Sequence, residues 1–399
     1  MAKRQFTTSD TSPWADKYTN GSAGAKTYSG NHQIDSSDGA YYSRVSGSAG
    51  NTTANTPDLS DGTYNLPCKI INEYSNANPN WEYNFLISVS GGVAAFKYPL
   101  TINCNYSGLG SQIITGNPYA SVVINSGVTI NPPSWDGSKG GRIIWFARDS
   151  WDNEGTIDFS GRGFRGGQAV GGSAEGYTGE GTGGVSTQNQ QTPNGNGGGG
   201  GGYSNNSPWN QGNGGAGGSN VTSGENGTAT GGGNNSNGGA GQAGITTTSS
   251  DGVTSNFGGS GGSGGVISSG GNSGSGGNGG GCLDVISRRI TNNGTINFNG
   301  NNGQGNVQYH SGAGGSGAAG FGIFKGQIIN LGGSITALGG AHQFRNGSNA
   351  GDEDGGYGGN GGIAVYYGQT KSVSSNPSTT PILDTILNDA GGAFEFLIA

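Results

Sequence analysis

The stretch from Gly166 to Gly281 constrains the fold of this chain more than any other feature. It holds 45 of the chain's 90 glycines and no Lys, Arg or His, and Asn, Ser and Thr fill most of its other positions. Glycine loses more backbone freedom on folding than any other residue and has no side chain to bury. The stretch cannot form a hydrophobic core, and it lacks the every-third-residue glycine period and high proline content of a collagen triple helix.

Two interpretations of this stretch remain open on sequence alone. A flexible Gly/Ser linker would be irregular. Runs such as "GGSGGSGGVISSGGNSGSGGNGGG", residues 258–281, can instead form extended helices with three residues per turn. Helices without side chains approach closely enough to hydrogen-bond backbone to backbone, which satisfies buried N–H and C=O groups. We expect a packed array of polyglycine-II-like helices, with irregular loops as the alternative.

A repeated element lies on both sides of the glycine-rich stretch. Each copy begins with glycines and an apolar strand of about five residues. A polar bend follows, and after it come Gly, then Thr or Ser, and then Ile. Gly155, Gly294 and Gly333 occupy equivalent places, 139 and 39 residues apart, so the first interval carries an insertion. The copies span residues 140–163, 280–303, 320–340 and 361–372, and the insertion spans 168–280.

Apolar residues in the repeats follow the pattern of β-strands. The second halves alternate apolar with polar or small residues, which is typical of half-buried strands. The first halves, around 143–146 and 283–286, are more continuously apolar, which indicates burial on both faces. We predict an all-β fold with β-solenoid-like repeats and long glycine-rich insertions. The alternating residues are Ile157, Phe159, Ile296, Phe298 and Ile335.

The organisation along the chain predicts four parts. We expect an N-terminal attachment or extended segment over residues 1–65, a β-rich domain over 66–139, a glycine-rich repeat domain over 140–370 and a C-terminal segment over 371–399. "TPILDTILNDAGG", residues 380–392, is a weak helix candidate that suits a strand equally well.

The charge balance excludes several partners. A net charge of -7 and a pI near 4.9 argue against nucleic acid and against an anionic membrane surface. No apolar run reaches the roughly 20 residues that span a bilayer. The N-terminus has Lys3 and Arg4 but no apolar run behind them, so it is not a secretory signal. We therefore expect no nucleic-acid partner and no membrane insertion. Assembly into a virus particle is one other route to an extracellular location.

Two segments carry a resemblance to known proteins. "TINPPSWDGSKGGRIIWFARDSWDNEGTIDFSGRGFRGG", residues 129–167, and "GGNGGIAVYYG", residues 358–368, resemble a family of glycine-rich bacterial and bacteriophage surface proteins. The chain is more loosely similar to the polyglycine-II-rich tail-tip adhesins of bacteriophages, over about residues 100 to 370. The resemblance implies receptor recognition by variable loops that emerge from a glycine scaffold.

Residues with catalytic or metal-binding chemistry are sparse. The three cysteines, Cys68, Cys104 and Cys282, form no CxxC pair, so we interpret them as small buried hydrophobes. The histidines, His32, His310 and His342, lie in Gly/Ser/Asn-rich contexts without a recognisable nucleophile. We predict that the chain is not an enzyme and holds no cofactor. Paired carboxylates can hydrolyse polysaccharides, and four acidic residues lie where the sequence predicts a bend between strands. We interpret them as ordinary turn residues, and they are Asp149, Asp152, Glu154 and Asp158.

One acidic loop is a weak calcium candidate. "NAGDEDGGYGG", residues 349–359, places Asp352, Glu353 and Asp354 together among glycines. Three carboxylates can bind Ca²⁺ through oxygen, but the nonapeptide repeat of calcium-binding solenoids is absent. A solvated acidic loop is the interpretation we favour.

Isolated aromatic and polar residues in the bare glycine loops are the candidate recognition site. Tyr and Trp offer rigid contact area with a polar end, which suits glycan or protein recognition; equally, they can staple the glycine segments together. The candidates are Tyr177, Tyr203, Trp209, Tyr309, His310, Phe344, Arg345 and Tyr357.

Two classes of function follow from these features. The first is a non-enzymatic adhesin displayed on a virion, as a phage tail tip or capsid fibre, that binds a host cell-surface glycan or outer-surface protein. The second is a structural subunit of an extracellular filament or bacterial surface layer. In either case we expect a homo-oligomer that contacts other virion or filament subunits.

Overall fold

The computed structural model describes residues 21–75, 81–188, 191–204, 211–228, 257–265, 271–305, 311–341, 344, 354–373 and 382–386. Within these ranges the chain is nearly all β, which confirms the all-β prediction. Helical structure there is limited to a 3-10 turn at Ser36–Asp38 and a short helix α1 at Tyr106–Leu109. The helix candidate near the C-terminus contains a strand at Ile382–Ile386 instead.

A seven-stranded parallel sheet forms the centre of the molecule. Its neighbouring strands pair in parallel throughout, in the order β1-β11-β13-β17-β19-β21-β22. The strands are β1 (Ala25–Tyr28), β11 (Pro118–Ile124), β13 (Arg142–Asn153), β17 (Cys282–Asn292), β19 (Phe321–Leu331), β21 (Gly362–Val373) and β22 (Ile382–Ile386).

A five-stranded parallel sheet packs against one face of the seven-stranded sheet. Trp145 and Val285 from the seven-stranded sheet share a buried core with Ile157 and Ile296 from the smaller one. The smaller sheet has the order β2-β12-β14-β18-β20. Its strands are β2 (His32–Gln33), β12 (Thr129–Asn131), β14 (Thr156–Asp158), β18 (Thr295–Asn297) and β20 (Ser334–Thr336).

The two sheets place the sequence copies side by side. The long strands β13, β17 and β19 are each followed by a short strand of the smaller sheet, and Ile157 pairs with Ile296, which pairs with Ile335. The N–H of Thr295 donates to the carbonyl of Gly155 at 2.8 Å. Strands β13 and β17 pair in register although the insertion separates them, so the insertion leaves and returns at neighbouring strands. The predicted alternation is confirmed, since these isoleucines are at most 6% exposed.

An eight-stranded antiparallel sheet covers the other face of the central sheet. Its order is β3-β10-β6-β7-β8-β5-β4-β9. Ile144, Phe146 and Ile286 point to this side and pack with Trp81 and Tyr83, which confirms that the first halves of the copies are buried on both faces. The strands are β3 (Tyr42–Arg44), β4 (Ser46–Gly47), β5 (Thr53–Asn55), β6 (Gly62–Asn72), β7 (Trp81–Ser90), β8 (Val93–Phe96), β9 (Cys104–Asn105) and β10 (Ser111–Thr115).

These three sheets, called the β framework below, do not follow the predicted domain limits. The limit between residues 65 and 66 falls inside β6, and strands from residues 25–55 contribute to all three sheets. Residues 118–131, assigned to the β-rich domain, belong to the two parallel sheets. Sequence composition did not reveal these limits because strand pairing joins residues far apart in the chain. All three cysteines are buried and free, as predicted.

The described glycine-rich segments form a compact unit outside these sheets, called the glycine array. Apart from isolated bridges and the hairpin of β15 (Tyr203–Ser204) and β16 (Gln211–Gly212), its backbone is not in strands. Nevertheless its segments are hydrogen-bonded to one another throughout. The array comprises residues 163–167, 176–181, 194–202, 213–219, 224–228, 257–265, 272–281, 299–304, 311–320, 337–341 and 354–361.

Hydrogen bonding in the array repeats every three residues. Segment 257–265 is entirely buried, and its successive N–H groups donate to three different neighbouring segments at N···O distances of 2.8–3.2 Å. Its carbonyls accept from three more segments, 163–167, 194–202 and 311–320. The donors Gly258, Gly261 and Gly264 bond to Gly280, Gly277 and Gly274; Gly259, Gly262 and Gly265 bond to Ser219, Ala216 and Asn213; Ser260 and Ser263 bond to Glu180 and Tyr177.

The close approach of these backbones requires glycine. A Cβ atom on Gly261 would overlap the carbonyl oxygen of Gly315, and one on Gly262 would overlap that of Gly199. The same holds at Gly264, where the overlapped oxygen belongs to Gly312. Real Cβ atoms essentially never come within 3.0 Å of another heavy atom, so segment 257–265 admits side chains only at every third position, where Phe257, Ser260 and Ser263 lie.

Candidate functional site

The glycine array contacts the β framework at one end. Phe164 and Phe257 pack there with Cys282 and Phe321, and Gly281 donates to the carbonyl of Phe159 at 3.0 Å. We call the opposite end the array tip. Residues of the array tip are hydrogen-bonded to one another at 2.8–3.0 Å, and they are Gly202, Asn213, Gly214, Thr228, Gly265, Gly274, Gly312 and Asp354.

Some of the predicted recognition residues are close in the sequence to residues of the array tip. Tyr203 follows Gly202 directly and opens the β15–β16 hairpin. Segment 266–270 follows Gly265, and segment 306–310 lies shortly before Gly312. Four of the predicted residues lie outside the described ranges: Trp209, Tyr309, His310 and Arg345.

Three other predicted recognition residues differ in exposure. Phe344 and Tyr357 are 55% and 47% exposed, which fits displayed side chains. Tyr177 is half-buried, and its backbone N–H donates to Oγ of Ser263 at 2.7 Å while its carbonyl accepts from the Ser263 N–H at 2.8 Å. The Tyr177 backbone therefore joins two array segments.

Tyr357 lines a groove on the side of the glycine array. The side groove has a volume of about 390 Å³ and lies between the turn at residues 222–223, segment 338–341 and segment 357–360. Leu338, 38% exposed, presents a second apolar surface to it. Sequence reasoning singled out Tyr357 but missed the turn and Leu338, which lie far from it in the chain.

The side groove has a rigid floor. Gly358 donates to the carbonyl of Gly340 at 3.0 Å, and Gly340 donates to that of Gly317 at 2.9 Å. Oδ1 of Asn360 accepts from Gly339 N–H at 3.1 Å, and the N–H of Asn360 donates to Oγ1 of Thr222 at 2.7 Å. The groove is thus held by the array's own hydrogen bonds.

The four carboxylates predicted to lie at the first bend take part in local contacts. Asp149 forms an ion pair with Arg148 at 2.7 Å, which together with Arg288 lowers the pKa of its carboxyl below the ordinary value. Ser150 donates to Asp152 at 2.8 Å, and Ser160 N–H donates to Asp158 at 3.0 Å. Asn293 Nδ2 donates to Glu154 at 2.7 Å. Only Glu154 lies between the two strands, because Asp149 and Asp152 lie within β13 and Asp158 lies within β14, so the predicted position of these three at a bend is wrong.

The weak calcium candidate is only partly within the described residues. Asp352 and Glu353 fall outside them. Asp354 is 1% exposed, and its backbone exchanges hydrogen bonds with Thr228 at the array tip. The described member of the trio is therefore an array residue and not part of a solvated acidic loop.

A cluster of His32, Asp35 and Asp38 was not identified from the sequence. Their ligand atoms lie within 4.8 Å of one another, which resembles a cation site. Asp38, however, accepts from His32 at 2.6 Å, from Lys26 at 2.7 Å and from the Tyr28 hydroxyl at 3.1 Å. Burial alone would raise the pKa of Asp38, but hydrogen bonds from Lys26 and His32 lower it. The cluster is best explained as a satisfied hydrogen-bond network at the framework edge.

Buried charges join the antiparallel sheet to the central sheet. Lys69 Nζ lies 2.7 Å from Asp284, and Arg142 forms two hydrogen bonds of 2.6 and 2.8 Å with Glu73. Lys325 lies in an aromatic box, 4.8 Å from the Trp81 ring centroid. Burial lowers its pKa to about 7, although Asp284 opposes the shift. The lysines and the arginine lie at an interface between sheets and are at most 5% exposed.

A second buried group joins the array to the framework. The Glu180 carboxylate, 1% exposed, accepts from Trp135 Nε1 at 3.0 Å and from the Tyr74 hydroxyl. Arg165 donates to the same carboxylate at 3.2 Å. Glu180 lies in array segment 176–181, so one side chain connects the array to residues from two distant parts of the framework.

Comparison of the chain with known protein families, with curated proteins and with solved structures finds no match. Among the described residues, no helix has the length and apolar character that crossing a membrane requires. Any assignment of function therefore rests on the geometry above.

Proposed function

We propose that the glycine array is a bundle of polyglycine-II-like helices carried on β-solenoid-like turns of the framework. Three observations support this proposal: the three-residue hydrogen-bond period of segment 257–265, its six hydrogen-bonded neighbours and the need for glycine where backbones meet. A helix with three residues per turn and no internal hydrogen bonds has this periodicity. Irregular loops would not repeat their partners every third residue.

Amide hydrogen exchange tests the proposal for the array. Amides of buried residues such as Gly261 and Gly262 should exchange far more slowly than those of an unfolded peptide of the same sequence. Ser223, at an exposed turn, serves as the internal reference for fast exchange. Exchange of Gly261 at the rate of an unfolded peptide would contradict a packed array.

We propose further that the protein is a non-enzymatic adhesin displayed on a virion, where it recognises a host cell-surface receptor. The observation that carries this proposal is the array tip, where several array segments end together and Tyr203 follows Gly202 directly. A rigid scaffold that presents several segments at one end is an arrangement that recognition sites use. The array supplies such a scaffold without relying on a large apolar core.

Electron microscopy of the native particle tests this function. Gold-labelled antibody against residues 168–280 should mark the end of a phage tail or the capsid spikes. Label distributed continuously along a filament or a cell surface would contradict the adhesin and favour a structural subunit. Purified protein should also bind host cells saturably, and a preparation that binds no cells of the native host would contradict receptor recognition.

A structural subunit of an extracellular filament or surface layer is the second candidate. The central parallel sheet begins at β1 and ends at β22 among the described strands, so it has edges to which further strands could add. The β1 edge is only four residues long and carries Lys26, two features that discourage such addition. Sedimentation at rising concentration separates the candidates, because a filament subunit polymerises whereas an adhesin stays a closed oligomer or monomer.

A further inference from the structure

We propose that the side groove binds a neutral sugar ring of a host surface glycan. This inference deepens the adhesin function and rests on it. It adds a site away from the array tip, with a stated ligand chemistry.

The groove combines exposed apolar surface with neutral polar groups. Tyr357 and Leu338 present exposed apolar surface, and Thr222, Ser223 and Asn360 supply hydroxyl and amide groups. None of the residues that line the groove carries a charge. A pyranose ring presents an apolar face of C–H groups and a rim of hydroxyls, so an aromatic ring with neutral polar partners is complementary to it. A phosphate or an acidic sugar would find no cation here.

Several side-chain donors that line the groove have hydrogen-bonding capacity for a ligand. Oδ1 of Asn360 accepts from Gly339, while its Nδ2 group donates to no described protein group. Oγ1 of Thr222 accepts from Asn360 N–H, which leaves its own hydroxyl proton for a ligand. The Tyr357 and Ser223 hydroxyls likewise have no described hydrogen-bond partner in the protein. Neutral donors that line the same groove as an exposed aromatic ring suit sugar hydroxyls.

The size and rigidity of the groove suit a small ligand. At about 390 Å³, the groove lies at the lower end of the roughly 300–1,000 Å³ range of ligand sites, as expected for one or two sugar units. A Cβ atom on Gly339 would overlap the carbonyl oxygen of Gly358, so the floor cannot accept a side chain without moving. A preformed groove loses little conformational entropy on binding, which favours a small ligand.

Saturation-transfer NMR with methyl glycosides tests this inference. The probes are the methyl glycosides of glucose, galactose, mannose and N-acetylglucosamine, with sialic acid as a charged comparison. We expect at least one neutral glycoside to receive saturation from the full chain and sialic acid to receive none. Tyr357→Ala should abolish the transfer, and Leu338→Asp should weaken it at least tenfold. Tyr106→Ala is the matched control, because Tyr106 is a 38% exposed tyrosine on the antiparallel-sheet side and should leave the transfer unchanged.

Binding of the same proteins to host cells separates this inference from the adhesin function. Transfer to a neutral glycoside that Tyr357→Ala abolishes supports the sugar site. Cell binding without transfer to any neutral glycoside, or transfer that survives Tyr357→Ala, would overturn the sugar site and leave the adhesin function standing. Absence of both cell binding and transfer would overturn both proposals. Unchanged hydrogen exchange at Gly261 shows that each variant retains the folded array.

Discussion

The β framework and the glycine array bury their backbones by opposite means. In the framework, Ile157, Ile296 and Ile335 stack from one strand to the next, and apolar side chains fill the space between sheets. In the array, adjacent segments meet with no side chain between them, and the N–H and C=O groups of each segment satisfy those of its neighbours. Buried residues of the framework are therefore stabilised by contact with large apolar side chains, whereas those of the array are stabilised by contact with backbone carbonyl groups.

Two different interactions therefore stabilise buried backbone in this one chain. Apolar burial contributes roughly 25 cal/mol per Å² in the framework. Each array hydrogen bond contributes about 0.5–1.5 kcal/mol net and avoids the larger penalty of a buried unpaired group. Buried charges join the regions, with Glu180 between array and framework and Arg142–Glu73 between sheets. Mutations at the buried charges, in the framework and in the array should therefore differ in the size of their effect on stability.

The largest effect is expected at the joint between sheets. Glu73→Gln leaves the Arg142 guanidinium buried without a carboxylate, and loss of one partner of a buried pair costs about 3–5 kcal/mol. The free energy of unfolding in urea should fall by that amount. Glu73→Gln combined with Arg142→Met should recover much of the loss. Asp149→Asn, which removes the carboxylate of the exposed pair with Arg148, is the control and should change the free energy of unfolding by less than about 1 kcal/mol. An equally small change for Glu73→Gln would show that the Glu73–Arg142 pair does not stabilise the interface between the sheets.

The next effect is removal of a side chain from the framework. Ile296→Ala deletes buried methyl groups between paired isoleucines, which should cost about 2–5 kcal/mol. Ile87→Ala, at a 38% exposed strand position, is the control and should cost much less. Equal losses at the two sites, measured by urea unfolding, would contradict an apolar core at Ile296.

Addition of a methyl group to the array is the mirror image of that experiment. Gly261→Ala forces a Cβ atom against the carbonyl of Gly315, and we expect a loss of about 1–3 kcal/mol, as for overpacking. Gly30→Ala is the matched control, because a Cβ atom there has open space. If thermal unfolding shows Gly261→Ala to be as stable as Gly30→Ala, the segments do not pack as closely as described.

The last effect concerns Lys325 and depends on pH. Burial lowers the pKa of its ammonium to about 7, against an unfolded value near 10.5, so the unfolded chain binds the proton more tightly between these values. Stability should therefore rise with pH from about 7 to 10 through this group and show no slope from it below about 7. Lys325→Met should stabilise the protein at neutral pH and remove that rise. The charged and titratable groups around it are Asp284, Lys69, Tyr83 and Tyr366.

The comparison of wild type with Lys325→Met isolates this group from other titrating residues. Thermal midpoints measured at about pH 7 and about pH 9 should converge as pH rises. Parallel curves for the two proteins would mean that Lys325 keeps an ordinary pKa within its aromatic box.

Local periodicity by itself determined much of the fold. Alternation at Ile157 and Phe159 predicted half-buried strands, and the equivalent glycines Gly155 and Gly294 predicted neighbouring copies. The absence of apolar side chains from the insertion predicted that its backbone, and not a core, would hold it. These features are visible in sequence because strand and helix periods act over a few residues.

Only the tertiary structure decided which distant residues meet. Lys69 lies 215 residues from its partner Asp284, and Tyr74 lies 106 residues from Glu180, so no local pattern could pair them. The predicted limit at residue 65 falls inside β6, and β3 from before that limit pairs with β10 from after it. Tyr357 could be named as an exposed aromatic, but the side groove appears only when the turn at 222–223 packs beside it. Contacts of this kind depend on strand register and backbone packing across the whole chain, which local sequence periods do not encode.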